Sequence, residues 1–117
     1  MHDPTESRSW KWIVREGARQ AVGNRPLIEG PVVLEVVFVY PPLRSWPKRR
    51  KLEIELGHEI PKATRPDLKN LMSAIEDGLA GTVFVDDNQV YSYGQSRKVY
   101  GARAEVRVRV ICGDDHG

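Results

Sequence analysis

Aspartates recur at three separated points in the second half of the chain. Asp67 is followed by Asn70 and Asp77, and an adjacent pair, Asp86 and Asp87, comes shortly afterwards. On a helix, positions 70 and 77 share a face, and a following strand that returns could bring Asp86 and Asp87 towards Asp67. Converging carboxylates suit a hard cation such as Mg²⁺, which fills its remaining positions with water and substrate phosphate. The spacing therefore suggests a magnesium site that acts on a phosphodiester.

The same aspartates also have a purely structural interpretation. Asp and Asn favour helix N-caps and tight turns. Asp67 would then cap a helix, Asp77 would lie on a solvated face, and residues 86–88 would form a turn. Spacing alone favours this second interpretation, because caps and turns are common and metal sites are rare. Both interpretations stay open at this point.

Positive charge is concentrated between Pro41 and Arg65. This segment contains seven basic and three acidic residues, whereas the rest of the chain has a net charge of −2. Trp46 and Leu43 lie among the charges, which fits contact with a DNA backbone combined with stacking or wedging at unpaired bases. A solvated, mobile segment is the alternative. The residues predicted to contact DNA are Arg44, Trp46, Lys48, Arg49, Arg50, Lys51, Arg65 and Asn70.

Hydrophobic periodicity predicts the elements that would position these groups. An amphipathic helix is predicted over residues 9–22, a central strand over 31–40, an exposed basic loop over 43–64, and a second helix from Leu68 to Leu79 with Pro66 in its first turn. Strands are then predicted over residues 82–85, 89–100 and 102–110, and residues 113–117 are predicted to be a tail. This order predicts one α+β domain over residues 1–117, with two helices and a mixed or antiparallel sheet.

Composition excludes several classes of protein. Of 117 residues, 40% are apolar, but the longest apolar run is only Val36 to Tyr40, far short of a membrane span. The single cysteine, Cys112, excludes an internal disulfide and a cysteine-rich zinc site. The glycines form neither a phosphate-binding loop nor a dinucleotide fingerprint, so no nucleotide cofactor is expected. With no secretory signal at the N-terminus, we expect a soluble, cytoplasmic protein without a membrane partner.

Three motifs together resemble a known family. They are Pro-Asp-Leu-x-Asn-Leu from Pro66, Glu-Asp-Gly-Leu-x-Gly from Glu76, and Val-x-x-Asp-Asp-x-Gln-Val from Val83. This pattern is similar to that of the RusA family of Holliday-junction resolvases, small magnesium-dependent endonucleases common in phages and prophages. The resemblance implies a RusA-like fold, a homodimer, Mg²⁺ or Mn²⁺ as cofactor, four-way branched DNA as partner, and the cytoplasm of a bacterial or phage-infected cell.

The resemblance also implies roles for individual residues. Asp67, Asp86 and Asp87 would bind the catalytic metal, with Asp87 the stronger candidate of the pair, and Asp77 would support them from the helix. The basic loop would meet the junction. Two positions depart from the family pattern: Lys69 replaces its second acid and Ser73 replaces its lysine. Because positions four apart are neighbours on a helix, the positive charge would have moved by one turn, which makes Lys69 a catalytic candidate beside Asp67 and Asp87.

Two functions are compatible with these departures. The first is a Mg²⁺-dependent endonuclease that resolves Holliday junctions or other branched DNA in recombination and repair. The second is a branched-DNA-binding protein of the same fold in which Lys69 has weakened or abolished cleavage. The two differ in whether a four-way junction is cut when Mg²⁺ is present.

Overall fold

A computed structural model describes residues 7–113 of the chain, and the side chains of residues 11–113. It contains three α-helices and a five-stranded mixed sheet, which confirms the predicted α+β class. The prediction of two helices was wrong, because a third helix lies in the basic segment. In chain order the elements are α1 Ser7–Val22, β1 Val32–Tyr40, α2 Lys48–Glu55, β2 Ile60–Pro61, α3 Leu68–Leu79, a 3-10 turn Asp87–Gln89, β3 Val90–Tyr93, β4 Arg97–Tyr100 and β5 Glu105–Cys112.

The predicted central strand is β1. One of its edges pairs antiparallel with β5 along most of its length. Its other edge pairs in parallel with β3 near Val32 and with β4 near Phe38, and β2 then adds antiparallel to β4. A strand with partners on both edges and cover on a face favours β-branched and aromatic residues, which explains the nearly continuous apolar run. Alternate residues of β1 from Val32 to Phe38 are fully buried.

Helices α1 and α3 cover one face of this sheet. The predicted helical spacing in α3 is confirmed, since Leu71, Met72, Ile75 and Leu79 are all buried against the core. The two helices are also joined by a polar contact, in which the Arg15 guanidinium donates to the main-chain oxygen of Asp77 at 2.9 Å. A cation at the C-terminal end of a helix is favourable because that end has a partial negative charge. This contact ties α1 to the part of α3 that contains Asp77.

Apolar and charged side chains alternate along the strands, so the face of the sheet opposite the helices is charged. Arg109 pairs with Glu35 across β5 and β1, Arg107 pairs with Glu105 within β5, and Arg97 on β4 pairs with Glu59. Surface ion pairs of this kind are individually worth about 0–1 kcal/mol. Their main consequence is that these arginines already have acidic partners, whereas the cations of the basic segment make no ion pair with the residues that the structure describes.

Three predicted elements differ from the structure. The segment predicted to be a basic loop, residues 43–64, contains α2 and β2, and α2 has no buried residue, so its sequence shows no apolar period. The single strand predicted over residues 89–100 is two strands, β3 and β4, separated by a turn at residues 94–96. The strand predicted over residues 82–85 is a turn with an isolated bridge at Phe84. Of the predicted tail, residues 114–117 lie outside the described residues.

Close packing of α1 on α3 predicts different effects for the same substitution at two helical glycines. A Cβ atom at Gly78 would lie 3.1 Å from the main-chain oxygen of Lys11 and 3.3 Å from Val14, whereas one at Gly17 meets nothing within 4 Å. We expect Gly78→Val to lower the free energy of unfolding by about 1–3 kcal/mol relative to Gly17→Val, the usual cost of overpacking. Urea denaturation measures this difference, and equal stabilities would contradict the packing described.

Candidate active site

Asp67 is the N-cap of α3. Its backbone is extended, with φ −68° and ψ 129°, and its Oδ1 accepts a hydrogen bond of 2.8 Å from the backbone N–H of Lys69. Pro66 therefore precedes the helix instead of lying in its first turn. The other carboxylate oxygen of Asp67 makes no hydrogen bond among the described residues. Asp67 thus caps α3, as its structural interpretation predicts, and one carboxylate oxygen of this exposed residue remains for a ligand.

The segment before Asp67 is held by a lysine that sequence reasoning missed. The Lys98 ammonium on β4 donates to the main-chain oxygens of Thr64 and Pro66, both at 2.6 Å. An ammonium has three donors, so two carbonyls leave one for another partner. Lys98 follows Thr64 by 34 residues, and the antiparallel pairing of β2 with β4 brings the two segments together. No local sequence signal could have identified this contact.

Asp86 and Asp87 occupy an exposed turn that leads into β3. Asp86 caps the 3-10 turn, accepting a hydrogen bond of 2.8 Å from the backbone N–H of Asn88, and this bond lowers the pKa of Asp86. The hydrogen bond to Asp86 raises the pKa of the Asp87 carboxyl, and the negative charges of Asp86 and Asp77 raise it further. The structure thus brings two of the predicted residues, Asp77 and Asp86, within electrostatic reach of a third, Asp87.

This arrangement limits what one metal ion could bind. Asp67 and Asp77 are ten residues apart on α3, which is about 15 Å of helical rise, so their carboxylates do not meet at a single ion. Within the described residues no group of three or more His, Cys, Asp or Glu side chains is arranged to hold a metal. The Asp86–Asp87 pair nevertheless fits Mg²⁺, which takes one or two protein carboxylates and completes its shell with water and phosphate.

Lys69, Asn70 and Ser73 all lie exposed on the first two turns of α3. The backbone N–H of Lys69 binds Asp67, and its ammonium makes no ion pair among the described residues. Within the described part of the chain, none of the three side chains contacts the Asp86–Asp87 pair through a hydrogen bond. The catalytic role predicted for Lys69 and the DNA contact predicted for Asn70 stay predictions.

The basic segment is anchored to the sheet through aromatic rings. Trp46 meets the Tyr100 ring at 4.5 Å between centroids and an angle of 62°, and the Arg50 guanidinium lies 4.4 Å from the Trp46 ring. Lys62 lies over Tyr40 and Tyr100 at 5.0 and 5.3 Å. Trp46 is therefore half-buried in contacts within the protein. Its predicted stacking on DNA bases stays a prediction.

The remaining predicted DNA contacts form an exposed cationic surface. Four consecutive cations, Lys48 to Lys51, occupy the N-terminal half of α2, and Glu53 and Glu55 occupy its C-terminal half. This order is the reverse of what the helix dipole favours, so each of these charges weakens the helix slightly. Both the cations and the free backbone N–H groups attract an anion to this end of α2. Arg44 and Arg65 are exposed as well.

Comparison with known proteins identifies the family. The family model described as endodeoxyribonuclease RusA matches residues 1–111. The chain belongs to the RusA family. Members of this family are endodeoxyribonucleases and generally depend on divalent metals. Membership therefore supports nuclease activity for this chain.

The chain is also similar to a curated protein, the uncharacterized protein YqaN of Bacillus subtilis (strain 168). The two are 35% identical over 118 residues, which cover 95% of this chain and 79% of the relative. No solved structure matches the chain. Among the described residues, no helix of this RusA-family protein is long and apolar enough to cross a membrane.

Sequence reasoning also missed a contact between α3 and β3. The Tyr93 hydroxyl donates to Oε1 of Glu76, the neighbour of Asp77. Burial raises the pKa of Tyr93 to about 12, and the hydrogen bond and charge of Glu76 act in the same direction. Glu76 belongs to one of the motifs shared with the RusA family, but Tyr93 has no sequence signal of its own.

The Tyr93 contact predicts how the tyrosines titrate. The pKa of Tyr93 is raised in the folded state, so its contribution to stability is complete below about pH 10 and is lost as pH rises towards about 12. We expect Glu76→Gln to lower this pKa, because the charge is removed while an oxygen acceptor stays. Absorbance of tyrosinate measures the effect, with Tyr93→Phe identifying the late-titrating ring among four tyrosines and Tyr91→Phe as control. An unchanged titration in Glu76→Gln would contradict the contact.

Proposed function

We propose that this chain is a homodimeric, Mg²⁺-dependent endonuclease that cuts four-way or other branched DNA, such as Holliday junctions. The observation on which this depends is the Asp86–Asp87 pair, two exposed carboxylates held side by side with Asp77 near enough to raise the pKa of Asp87. Such a concentration of negative charge is unfavourable in the absence of a cation. Binding a divalent cation would relieve it, and the family provides the substrate class.

In this proposal the chain's carboxylates bind and orient the metal. Asp86 and Asp87 hold it directly, Asp77 adds negative charge from α3, and the family pattern adds Asp67 at the other end of that helix. When bound, the metal polarises the scissile phosphate and lowers the pKa of a water molecule. The Lys69 ammonium is an exposed cation that would offset charge on the phosphate.

DNA binding is assigned to α2 and the residues beside it. Every cation from Lys48 to Lys51 is exposed, whereas the arginines of the open sheet face are paired with glutamates. Unpaired cations are the ones that gain most from phosphate, since they exchange counterions for it. Anchoring through Trp46 and Tyr100 means that these charges are presented by an ordered helix.

We assign the second copy of the proposed homodimer to the surface between α1 and β5. An apolar groove of about 810 Å³ runs between Ile13 and Ala18 of α1 and Val106 and Val108 of β5, and Ile13 is 58% exposed. Within the described residues, β5 pairs only with β1, so its other edge is available to a strand. An antiparallel copy of β5 at this edge would continue the sheet across the two-fold axis. Two-fold symmetry of this kind would match two symmetric cuts in a junction.

The alternative function is binding of branched DNA without efficient cleavage. Lys69 supports it, because this ammonium occupies the place of the second acid of the family pattern. A cation within one turn of Asp67 repels a metal ion and attracts a phosphate, so it would favour binding over cleavage. A junction that is bound but not cut in Mg²⁺ or Mn²⁺ would identify this alternative.

Removing carboxylates tests the nuclease directly. We expect Asp87→Asn to abolish cleavage of a labelled four-way junction in Mg²⁺ while binding is unchanged or tighter, because it loses a metal ligand and some repulsion of phosphate. The family pattern predicts the same loss for Asp67→Asn, whose carboxylate would act at the other end of α3 and not on the ion held by Asp86 and Asp87. Glu16→Gln removes an exposed carboxylate from α1 and should cleave at the native rate. Cleavage at the native rate by either aspartate variant would remove that residue from the proposed site.

Neutralising α2 tests the proposed DNA surface. We expect Lys48→Gln with Lys51→Gln to weaken junction binding and to reduce the slope of log affinity against log salt by up to about 1.8, or roughly 0.9 for each phosphate that is no longer neutralised. Arg19→Gln with Arg25→Gln removes two exposed charges from the region of α1 and should leave that slope unchanged. Equal slopes for both double variants would show that α2 does not contact phosphate.

A further inference from the structure

The Gln89 side chain connects the acidic turn to the segment that precedes β1. Its Nε2 donates to the main-chain oxygens of Ile28 and Gly30, both at 2.8 Å. Its Oε1 accepts a hydrogen bond of 2.8 Å from the backbone N–H of Asp86. A carboxamide has two donors and a carbonyl acceptor, and all these groups are used here. Gln89 is half-buried, whereas Asp86 and Asp87 are exposed.

The segment that Gln89 binds is itself fixed to the fold. The backbone N–H of Ile28 donates to Val83 at 2.9 Å, and the backbone N–H of Val85 donates to Ile28 at 3.3 Å. Gln89 therefore closes a ring of hydrogen bonds that runs from the end of α3 through residues 83–85 and back to the lead-in of β1. The turn that contains the two aspartates lies within this ring.

We propose that Gln89 is the positioning residue that holds Asp86 and Asp87 together for divalent-cation binding. The inference rests on the proposed function of this pair. Two adjacent exposed carboxylates repel each other, so without an anchor the turn would separate them. Hydrogen bonds to neutral main-chain groups supply that anchor without adding a charge that would compete for the cation. Groups that orient metal ligands in this way typically change metal affinity 10- to 100-fold.

Other side chains cannot perform the same task. An ionised glutamate lacks both donors, and it would place a third negative charge beside the pair. Asparagine has the same polar groups but is one methylene shorter, so it cannot span from Asp86 to both Ile28 and Gly30. Methionine preserves the length of the side chain and removes all three hydrogen bonds. These differences allow the positioning role to be separated from simple packing.

Mn²⁺ binding by the whole protein, measured by titration calorimetry or electron paramagnetic resonance without DNA, tests the proposal. We expect Gln89→Met to weaken Mn²⁺ binding 10- to 100-fold and Gln89→Asn to weaken it less. Gln95→Met is the matched control, because Gln95 is exposed and its side chain makes no hydrogen bond among the described residues. Native Mn²⁺ affinity in a folded Gln89→Met protein would overturn the proposal.

Amide hydrogen exchange in the metal-free protein gives a second, independent measurement. We expect the Asp86 amide to be protected in the native chain and in Gln95→Met, and to exchange faster in Gln89→Met. If Gln89→Met does not fold, Gln89→Asn is measured in its place. If the native chain binds no Mn²⁺, the proposed metal site fails. Exchange of the Asp86 amide then tests the positioning role of Gln89 by itself. Loss of protection in Gln89→Met supports that role, and unchanged protection overturns it.

Discussion

Every strand of the sheet depends on β1. Three strands pair with it directly, and β2 is attached through β4. Because β3 and β4 share one edge of β1, each end of this strand fixes a different part of the later chain. The lead-in at Ile28 and Gly30 holds the turn of Asp86 and Asp87 through Gln89. The other end places Lys98 of β4 beside the segment that enters α3.

The same arrangement separates the two kinds of charge. The cationic helix α2 is anchored beside Tyr100, at the end of β4, whereas the acidic turn immediately precedes β3. Neither group neutralises the other through an ion pair among the described residues. Both groups are also unfavourable on their own account, since the α2 cations oppose the helix dipole and the aspartates repel each other. Charges retained at such a cost to stability are typical of binding surfaces.

Hydrophobic periodicity was sufficient for the elements that build the core. The buried residues of β1 and α3 follow the periods of a covered strand and an amphipathic helix, and both elements were correctly predicted. Helix α2 was missed because it buries no residue and therefore has no apolar period. Residues 89–100 were wrongly predicted as a single strand because both β3 and β4 pair with β1 and only a short turn separates them. Local signals do not encode such tertiary pairing.

Prediction of the candidate site was limited for the same reason. The aspartates were visible as residue types, but their mutual positions depend on side chains that are remote in sequence, such as Lys98 beside Pro66. Lys69 illustrates the difference between what folding requires of a residue and what a function would require of it. Its backbone N–H is capped by Asp67, a contact that any residue except proline could make, so folding does not require its ammonium. Folding therefore leaves the residue type at this position open, and the effect proposed for the Lys69 charge, which would repel a metal ion and attract a phosphate, stays a prediction.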